Sequence, residues 1–363
     1  MGASDLGLAA RWRRFLPRVW YHTPEADQVV ISVNPTAGTG SSRSKVDELA
    51  FHLGRSRLAA SVLTDLDEVA ARANRLHREG RLRALIGVGG DGTAAELVNR
   101  TDPGVPLTLL PQGTENLLAK YLRIGFSPES LCQSVVRGAL VRLDAGIART
   151  ASRPGSLPVE DGRIFLLMAS CGFDAEVVHR LHDARHGPIR HSDYIKPIWQ
   201  SIRSYQYPEL RVYCDEDKPR REEDNLHRDK ATPPGSGGSA VEQADAYSAR
   251  WLFLFNLPCY AAGLPLRPDA NGVDGALDLC LFRRGSLLHG LRYLVATLCH
   301  QQERLGDAVL RRVTKVRVES DGDAPCQLDG DPCGFLPMEV EVLPERLTLL
   351  VPELWLAGRS LDN

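Results

Sequence analysis

Ala84-Leu85-Ile86-Gly87-Val88-Gly89-Gly90-Asp91-Gly92-Thr93-Ala94-Ala95-Glu96-Leu97-Val98-Asn99 decides the fold. An apolar run, a glycine turn and a helix-forming run follow one another without a gap, which reads as strand, turn and helix. Such a turn presents backbone N–H groups with no side chain in the way, at a helix N-terminus that favours anions. It suits phosphate. Asp91 is the odd member, since a carboxylate repels phosphate. It makes sense if it meets phosphate through Mg²⁺, or takes a proton from a group about to be phosphorylated. The alternative is a tight turn in which Asp91 caps the helix.

The same grammar extends on both sides. Val29 to Val33 is a buried-strand pattern that ends in Asn34-Pro35-Thr36-Ala37-Gly38-Thr39-Gly40-Ser41-Ser42. A helix is expected from Lys45 to Leu53, a strand over 60–63 and a helix from Leu66 to Glu79. Pro106 to Leu110 is a further strand. It ends in Pro111-Gln112-Gly113-Thr114-Glu115-Asn116, before a helix to Tyr121. Alternating strand and helix implies a parallel, wound α/β sheet. Ligands on such sheets bind at the carboxyl ends of the strands, where three small-residue loops converge. Neither GxGxxG nor GxxxxGK[ST] is present.

From Val141 the character changes. Strands are expected at Arg163–Ser170, Glu209–Cys214, Arg250–Phe255, Ala276–Phe282, Val313–Glu319, Pro337–Leu343 and Arg346–Val351. This reads as a mainly antiparallel β domain, a sandwich or a distorted barrel, with helices near Ala175–His186 and Ser286–Glu303. The expected organisation is a basic and aromatic segment 1–27, an α/β nucleotide-binding domain 28–140, a β-rich domain 141–352 and a tail 353–363. Within the β-rich domain, 215–246 is polar and Gly/Ser/Pro-rich, and is read as a disordered insertion dispensable for chemistry.

At 363 residues two domains are expected, and a net charge of −2 gives no electrostatic case for nucleic acid. Eight cysteines form no CxxC pair, so they read as free thiols in a reducing cytoplasm. No apolar run reaches the roughly 18 residues that span a bilayer. Arg11, Arg13, Arg14 and Arg18 interleave with Trp12, Phe15, Leu16 and Trp20. That mixture could lie on an anionic lipid surface or pack on its own domain, the latter preferred. The helix bearing Leu287, Leu288, Leu291, Leu294, Val295 and Leu298 reads as a lipid-facing lid or as packed on the sheet, again the latter preferred.

Gln327-Leu328-Asp329-Gly330-Asp331-Pro332 places two carboxylates about a glycine. Both could enter one site, one on a metal and one accepting a proton, or the stretch could be a hairpin turn. Asn271-Gly272-Val273-Asp274-Gly275-Ala276 could hold a small hard cation, with a hairpin as the preferred reading of the residues alone. His179, His182 and His186 share a helical face without a completing metal ligand, and read as a basic face near a phosphate or headgroup.

Taken in order, Asn34-Pro35 with Gly38, Gly89-Gly90-Asp91-Gly92-Thr93, Pro111, Gly113-Thr114, Asn116 and Ala119, Cys171-Gly172-Phe173-Asp174, Asp274-Gly275 with Leu277-Asp278, and Asp329-Gly330-Asp331-Pro332 resemble the diacylglycerol kinase catalytic-domain family. That family includes sphingosine kinases and bacterial lipid kinases. The resemblance runs from about residue 28 to 352. It implies an ATP-binding α/β domain, a β-sandwich lipid domain and catalysis between them. Nucleotide contacts are implied for Asn34, Pro35, Thr36, Gly38, Gly89, Gly90, Asp91, Gly92, Thr93, Gly113, Thr114 and Asn116. A structural Mg²⁺ is implied at Asp274 with the carbonyls of Asn271 and Ala276. Asp174 or Glu176 would sit near the lipid headgroup. Asp331 stands where the family usually has glutamate, and Leu117 where it often has aspartate.

The expected chemistry is in-line transfer of the ATP γ-phosphoryl group, with Mg²⁺, to a lipid hydroxyl. Asp91 holds the metal or positions the hydroxyl, and Asp331, with Asp329 beside it, accepts the proton. Asp91 stays open as the rival base. The competing readings are an NAD kinase-like enzyme, a non-catalytic nucleotide- or lipid-binding module and a kinase for a soluble polyol. The implied setting is the cytoplasm with peripheral contact at the inner membrane face, and a homodimer is left open.

Overall fold

The structure, a computed structural model, describes residues 17–33, 40–153, 161–184, 193, 195–215, 247–260 and 264–361. Asn34, Pro35, Thr36 and Gly38, the N-terminal Arg/Trp stretch up to residue 16, and residues 216–246 of the expected insertion lie outside the described residues. The first part runs β1 (Val19–Trp20), β2 (Gln28–Val33), α1 (Gly40–Arg55), β3 (Ala59–Leu63), α2 (Leu66–Arg78), β4 (Leu82–Gly89), α3 (Asp91–Arg100), β5 (Pro106–Pro111), α4 (Leu117–Tyr121) and α5 (Pro128–Arg137). The second runs β6 (Ala139–Ala151), β7 (Arg163–Phe165), β8 (Met168–Gly172), α6 (Phe173–Asp183), α7 (Ile195–Ser204), β9 (Leu210–Cys214), β10 (Tyr247–Ala249), β11 (Trp251–Phe255), β12 (Leu277–Phe282), α8 (Leu287–Leu298), β13 (Ala308–Val313), β14 (Lys315–Ser320), β15 (Pro325–Leu328), β16 (Asp331–Val351) and α9 (Glu353–Leu361).

The two parts have the α/β and antiparallel β-rich character expected of them. Strands β3, β2, β4 and β5 are parallel neighbours in that order. Strands buried on both faces read as unbroken apolar runs, which is why Val29–Ile31 and Ala84–Ile86 carry no alternation. Helix α2 starts where the Asp65 carboxylate accepts the Glu68 N–H at 2.8 Å, and its Val69, Ala73 and Leu76 pack inward at helical spacing.

Strand β16 joins the domains. It begins at Asp331, pairs antiparallel with β15, β14 and β6, and ends parallel to β5 with Thr348 opposite Pro106. The two strands expected at 337–343 and 346–351 are therefore one. Conversely, the strand expected over Arg163–Ser170 is broken into β7 and β8. The N–H groups of Leu166, Leu167 and Met168 at the break turn to the Asp329 carboxylate instead of a neighbouring strand.

Helix α3 is gripped from the other domain. Asn99 donates to the Ile164 carbonyl at 2.9 Å and accepts the Ile164 N–H at 2.8 Å. The Arg346 guanidinium donates to the carbonyls of Val98 and Thr101, both at 2.8 Å, capping the C-terminal end of the helix. The expected tail forms helix α9, with Trp355 buried and its Nε1 donating to the Tyr121 carbonyl at 3.0 Å. Trp20 packs under the Arg142 guanidinium of β6, 5.5 Å from its ring centre, so the described end of the N-terminal segment lies against the folded chain.

Candidate active site

The glycine turn and the loop after β5 are built against each other. Gly89 is paired with Pro111, and Gln112 N–H donates to the Gly89 carbonyl at 3.0 Å. A side chain on Gly113 would fall 2.8 Å from the Gly90 Cα, and one on Gly90 would fall 3.1 Å from the Gly113 Cα. The two backbones touch, and only glycine permits it. Asn116, buried and at φ +50°, clamps the second loop: its Oδ1 accepts the Gly113 N–H at 2.9 Å and its Nδ2 donates to the Gly113 carbonyl at 2.6 Å. Thr114 is exposed at the tip.

Asp91 does cap a helix, but not its own. Gly90 is the N-cap of α3 and offers no side chain. The two Asp91 oxygens accept the N–H groups of Leu117 and Leu118, each at 2.9 Å, at the start of α4. The positive end of that helix and these two bonds favour the carboxylate, while burial pushes its pKa up and wins. Leu117 thus contributes a backbone N–H where a polar side chain was the family expectation.

Asp329 and Gly330, at φ +52° and +88°, form the tight turn between β15 and β16. The stretch is the expected hairpin turn, and the turn divides the two carboxylates, so they do not enter one site together. Asp329 points inward. Its oxygens accept the N–H groups of Leu166 at 2.7 Å, Leu167 at 2.8 Å and Met168 at 3.0 Å. Burial pushes its pKa up to about 6 against the pull of those three bonds, with the nearby Asp91 charge adding to the rise. Asp331 points outward and is half-buried. The position of a Cβ on Gly92 is 3.2 Å from its Oδ2. The glycine turn and the acidic hairpin, from opposite ends of the chain, therefore meet at Gly92 and Asp331. Arg163 stands beside them, its Nη2 3.6 Å from Asp331 Oδ2 and 3.7 Å from Glu96 Oε1. Among the predicted catalytic residues, Asp331 is the one whose carboxylate is not occupied by backbone amides.

Asp174 and Glu176 serve other partners. Asp174 accepts from Ser170 Oγ at 2.6 Å, Tyr260 OH at 2.5 Å and Gln327 Nε2 at 3.2 Å. Gln327 Oε1 in turn accepts the Gly330 N–H at 2.8 Å, so Asp174 braces the acidic hairpin. Glu176 holds the Arg180 Nε at 2.6 Å, and Arg180 reaches Ser204 at the end of α7 at 2.8 Å. His179 Nε2 lies 2.8 Å from the Cys326 carbonyl and its ring packs on Phe335, so it is a structural residue, not part of a basic face. His182 is exposed, and His186 lies outside the described residues. Arg163, Asn99, Gln327, Tyr260 and Arg346 were not found from sequence. Each is a lone polar residue whose partner is distant in the chain, and no local pattern marks it.

The expected structural Mg²⁺ site does not fit its residues. The Asp274 carboxylate is ion-paired with the Arg312 guanidinium and accepts the Ala276 N–H at 3.2 Å. Arg267 forms a second buried pair with Asp278 at 2.5 Å beside it. The Asp274 carboxylate already has a guanidinium as its counter-charge. No group of three or more metal-type side chains occurs among the described residues. Mg²⁺ or EDTA, without nucleotide, is therefore expected to move the Tm by less than about 1 °C. Arg312→Ala should cost about 1–3 kcal/mol, a buried-pair loss reduced for the partly exposed guanidinium. A Tm of the wild type that rises with Mg²⁺ would return the site to the metal.

A glycine-loop α/β domain faces a carboxylate on a β-rich domain, and one shared strand ties the two. Residues 28–148 match the diacylglycerol kinase catalytic domain, and residues 168–351 match the YegS C-terminal NAD kinase beta sandwich-like domain. The chain belongs to the diacylglycerol kinase catalytic-domain family. It is 22% identical to a diacylglycerol kinase of Bacillus subtilis, over 89% of this chain and 96% of that one. It is 28% identical to diacylglycerol kinase zeta of Rattus norvegicus over 92% of this chain, but spans 36% of the rat protein. In fold it is similar to the crystal structure of a diacylglycerol kinase-like protein from Bacillus anthracis, with a TM-score of 0.62 and 16% identity, covering 91% of this chain and 96% of that one.

Proposed function

We propose that the protein transfers the γ-phosphoryl group of ATP to the hydroxyl of a lipid, of diacylglycerol or sphingoid type. The observation that carries this reading is the meeting of Gly92 and Asp331. The α3 N-terminus and the loops bearing Gly89–Thr93 and Gly113–Asn116 form the phosphate cradle. Opposite them Asp331 takes the proton of the attacking hydroxyl. Mg²⁺ carried in with the nucleotide would offset the phosphate charge, and the outward Asp331 carboxylate would be the residue that holds it. Arg163 lies where charge builds on the transferred group. Asp329 fixes the hairpin, and Asp174, through Gln327, fixes it from the other side. Phosphoryl transfer needs mostly positioning and charge neutralisation, which these groups supply. ATP as donor places the reaction in the cytoplasm, at the inner face of the membrane.

The test is purified protein with γ-labelled ATP, Mg²⁺ and a total membrane lipid extract, beside an Asp331→Ala control. Label in the organic phase, absent in the control, is expected. Label on NAD in a parallel tube, with none on lipid, would move the acceptor to a nucleotide. ATP binding with no label on any acceptor would leave a binding module.

A further inference from the structure

Helix α8 was expected to pack on the sheet, and only one side of it does. Tyr293, Ala296 and Thr297 are buried, Tyr293 stacked on Phe282 with centroids 4.2 Å apart and its OH donating to Asp307 at 2.9 Å. Gly290 lets the helix settle on the Trp251 ring, 3.2 Å from where its Cβ would be. The other side is bare. Leu288 is 77% exposed, Leu291 56%, Leu294 39%, Val295 52% and Leu298 56%. Positions 288, 291, 295 and 298 follow one another by three, four and three, which makes a single stripe along the helix.

The charges around the stripe are mostly positive. No carboxylate occurs between Arg283 and Gln302 in the sequence. Arg283 and Arg284 precede the helix and Arg292 flanks the stripe, all exposed. Asp307 takes Arg292 at 3.0 Å and lies 3.9 Å from Arg284, so one acid faces two guanidinium groups. Helix α7 repeats the pattern, with Trp199 57% and Ile198 38% exposed and Arg203 lying 5.5 Å from the Trp199 ring centre. The two helices flank one aromatic cluster, Phe173 with Tyr205, Tyr207 and Trp251, and Trp251 with Tyr293. Phe173 adjoins Asp174, the residue that braces the acidic hairpin.

We infer that α8, assisted by α7, is the helix by which the protein docks on an anionic lipid bilayer, its leucine stripe entering the interface and Arg283, Arg284 and Arg292 meeting the headgroups. An apolar stripe bordered by arginines, with no acid on the helix, matches an interfacial helix in both hydrophobicity and charge. A second copy of the chain would bring the same positive border and repel itself. The inference rests on the lipid-kinase reading for its purpose, and vesicle binding without ATP tests it apart from catalysis.

The full chain is floated with phosphatidylcholine vesicles and with phosphatidylcholine/phosphatidylglycerol vesicles. Binding to the second is expected, weakened by salt. The triple variant Leu288→Ser, Leu291→Ser, Leu298→Ser should bind at least about tenfold more weakly, since three buried leucines are lost from the interface. Arg283→Glu with Arg284→Glu should weaken binding to the anionic vesicles alone. All five side chains are exposed and lie outside the phosphoryl-transfer machinery, so phosphorylation of a soluble short-chain acceptor should stay unchanged. Failure of the wild type to bind anionic vesicles, or equal binding by the triple variant, overturns the docking role whatever the kinase assay shows. A triple variant that alters the sedimentation mass but not vesicle binding assigns the stripe to a second copy instead. Vesicle binding with no lipid phosphorylated would keep this inference and remove the substrate reading.

Discussion

Asp331→Asn is expected to lower kcat for lipid phosphorylation by about 10²–10⁴-fold, the usual worth of a positioned general base. The fold should not notice. Asp331 is half-buried and its ion pair with Arg163 is 3.6 Å long and open to water. A bridge of that kind contributes at most about 1 kcal/mol, so the Tm should move by no more than about 4 °C. ATP binding should persist, because the amide keeps the shape and one acceptor oxygen. Asp331→Glu, the residue usual in the family, should retain activity. Its carboxylate is one methylene longer and still faces Gly92, which has no side chain to obstruct it. The comparison with Asp91 decides the base. Asp91→Asn removes an acceptor from the Leu117 or Leu118 amide and disturbs the start of α4, so it should lower ATP affinity together with kcat. If Asp331→Asn kept kcat within about threefold of the wild type, below what general-base loss predicts, the proton would belong to Asp91.

How much of this could be read beforehand depends on the range over which each feature is determined. The glycine turn at 89–93 was legible because its structure is local: strand, turn and helix follow in one stretch. The turn at Asp329-Gly330 was legible as a turn for the same reason. Which of its two carboxylates would be free was not. That is settled by the amides of Leu166, Leu167 and Met168, which lie more than a hundred positions away and also break the expected strand there. The Asp274 motif read as a hairpin on its residues and gained a cation only through the family resemblance, because the arginine on β13 that pairs with the carboxylate is silent in sequence until the strands pair. The α3 clamps, Asn99 and Arg346, are silent likewise. Helix α8 was read correctly as amphipathic, but amphipathicity does not say which side finds a partner. Gly290 and Tyr293 chose the inward side, and the wider apolar stripe was left outside.

Asp329→Ala should be the most damaging single change to the fold. It strips the acceptor from three N–H groups at the β7–β8 break, and unsatisfied buried amides cost roughly 1–3 kcal/mol each. Allowing water to reach some of them, the loss is about 3–6 kcal/mol, a large part of the 5–15 kcal/mol typical of a domain. Asp329→Asn separates the hydrogen bonds from the charge. Its carbonyl oxygen can still serve Leu167 and Met168, the pair that share Oδ1, while its NH₂ opposes the Leu166 amide. It should cost only about 1–3 kcal/mol near neutral pH. The pH dependence carries the sign. The folded-state pKa is raised from 3.8 to about 6. Between those values the folded protein holds the proton more tightly than the unfolded chain, so this group's contribution falls as pH rises through the window and its full cost is present above 6. Below 3.8 both states are protonated and the contribution no longer changes. Asp329→Asn removes that titration. Denaturant unfolding of wild type and variant between pH 4 and 7 should show the gap in stability narrowing as pH rises, by up to about 3 kcal/mol. A gap that stays constant, or widens with pH, would mean that Asp329 keeps an ordinary carboxylate's affinity for its proton, and that the three amides, not burial, dominate its environment.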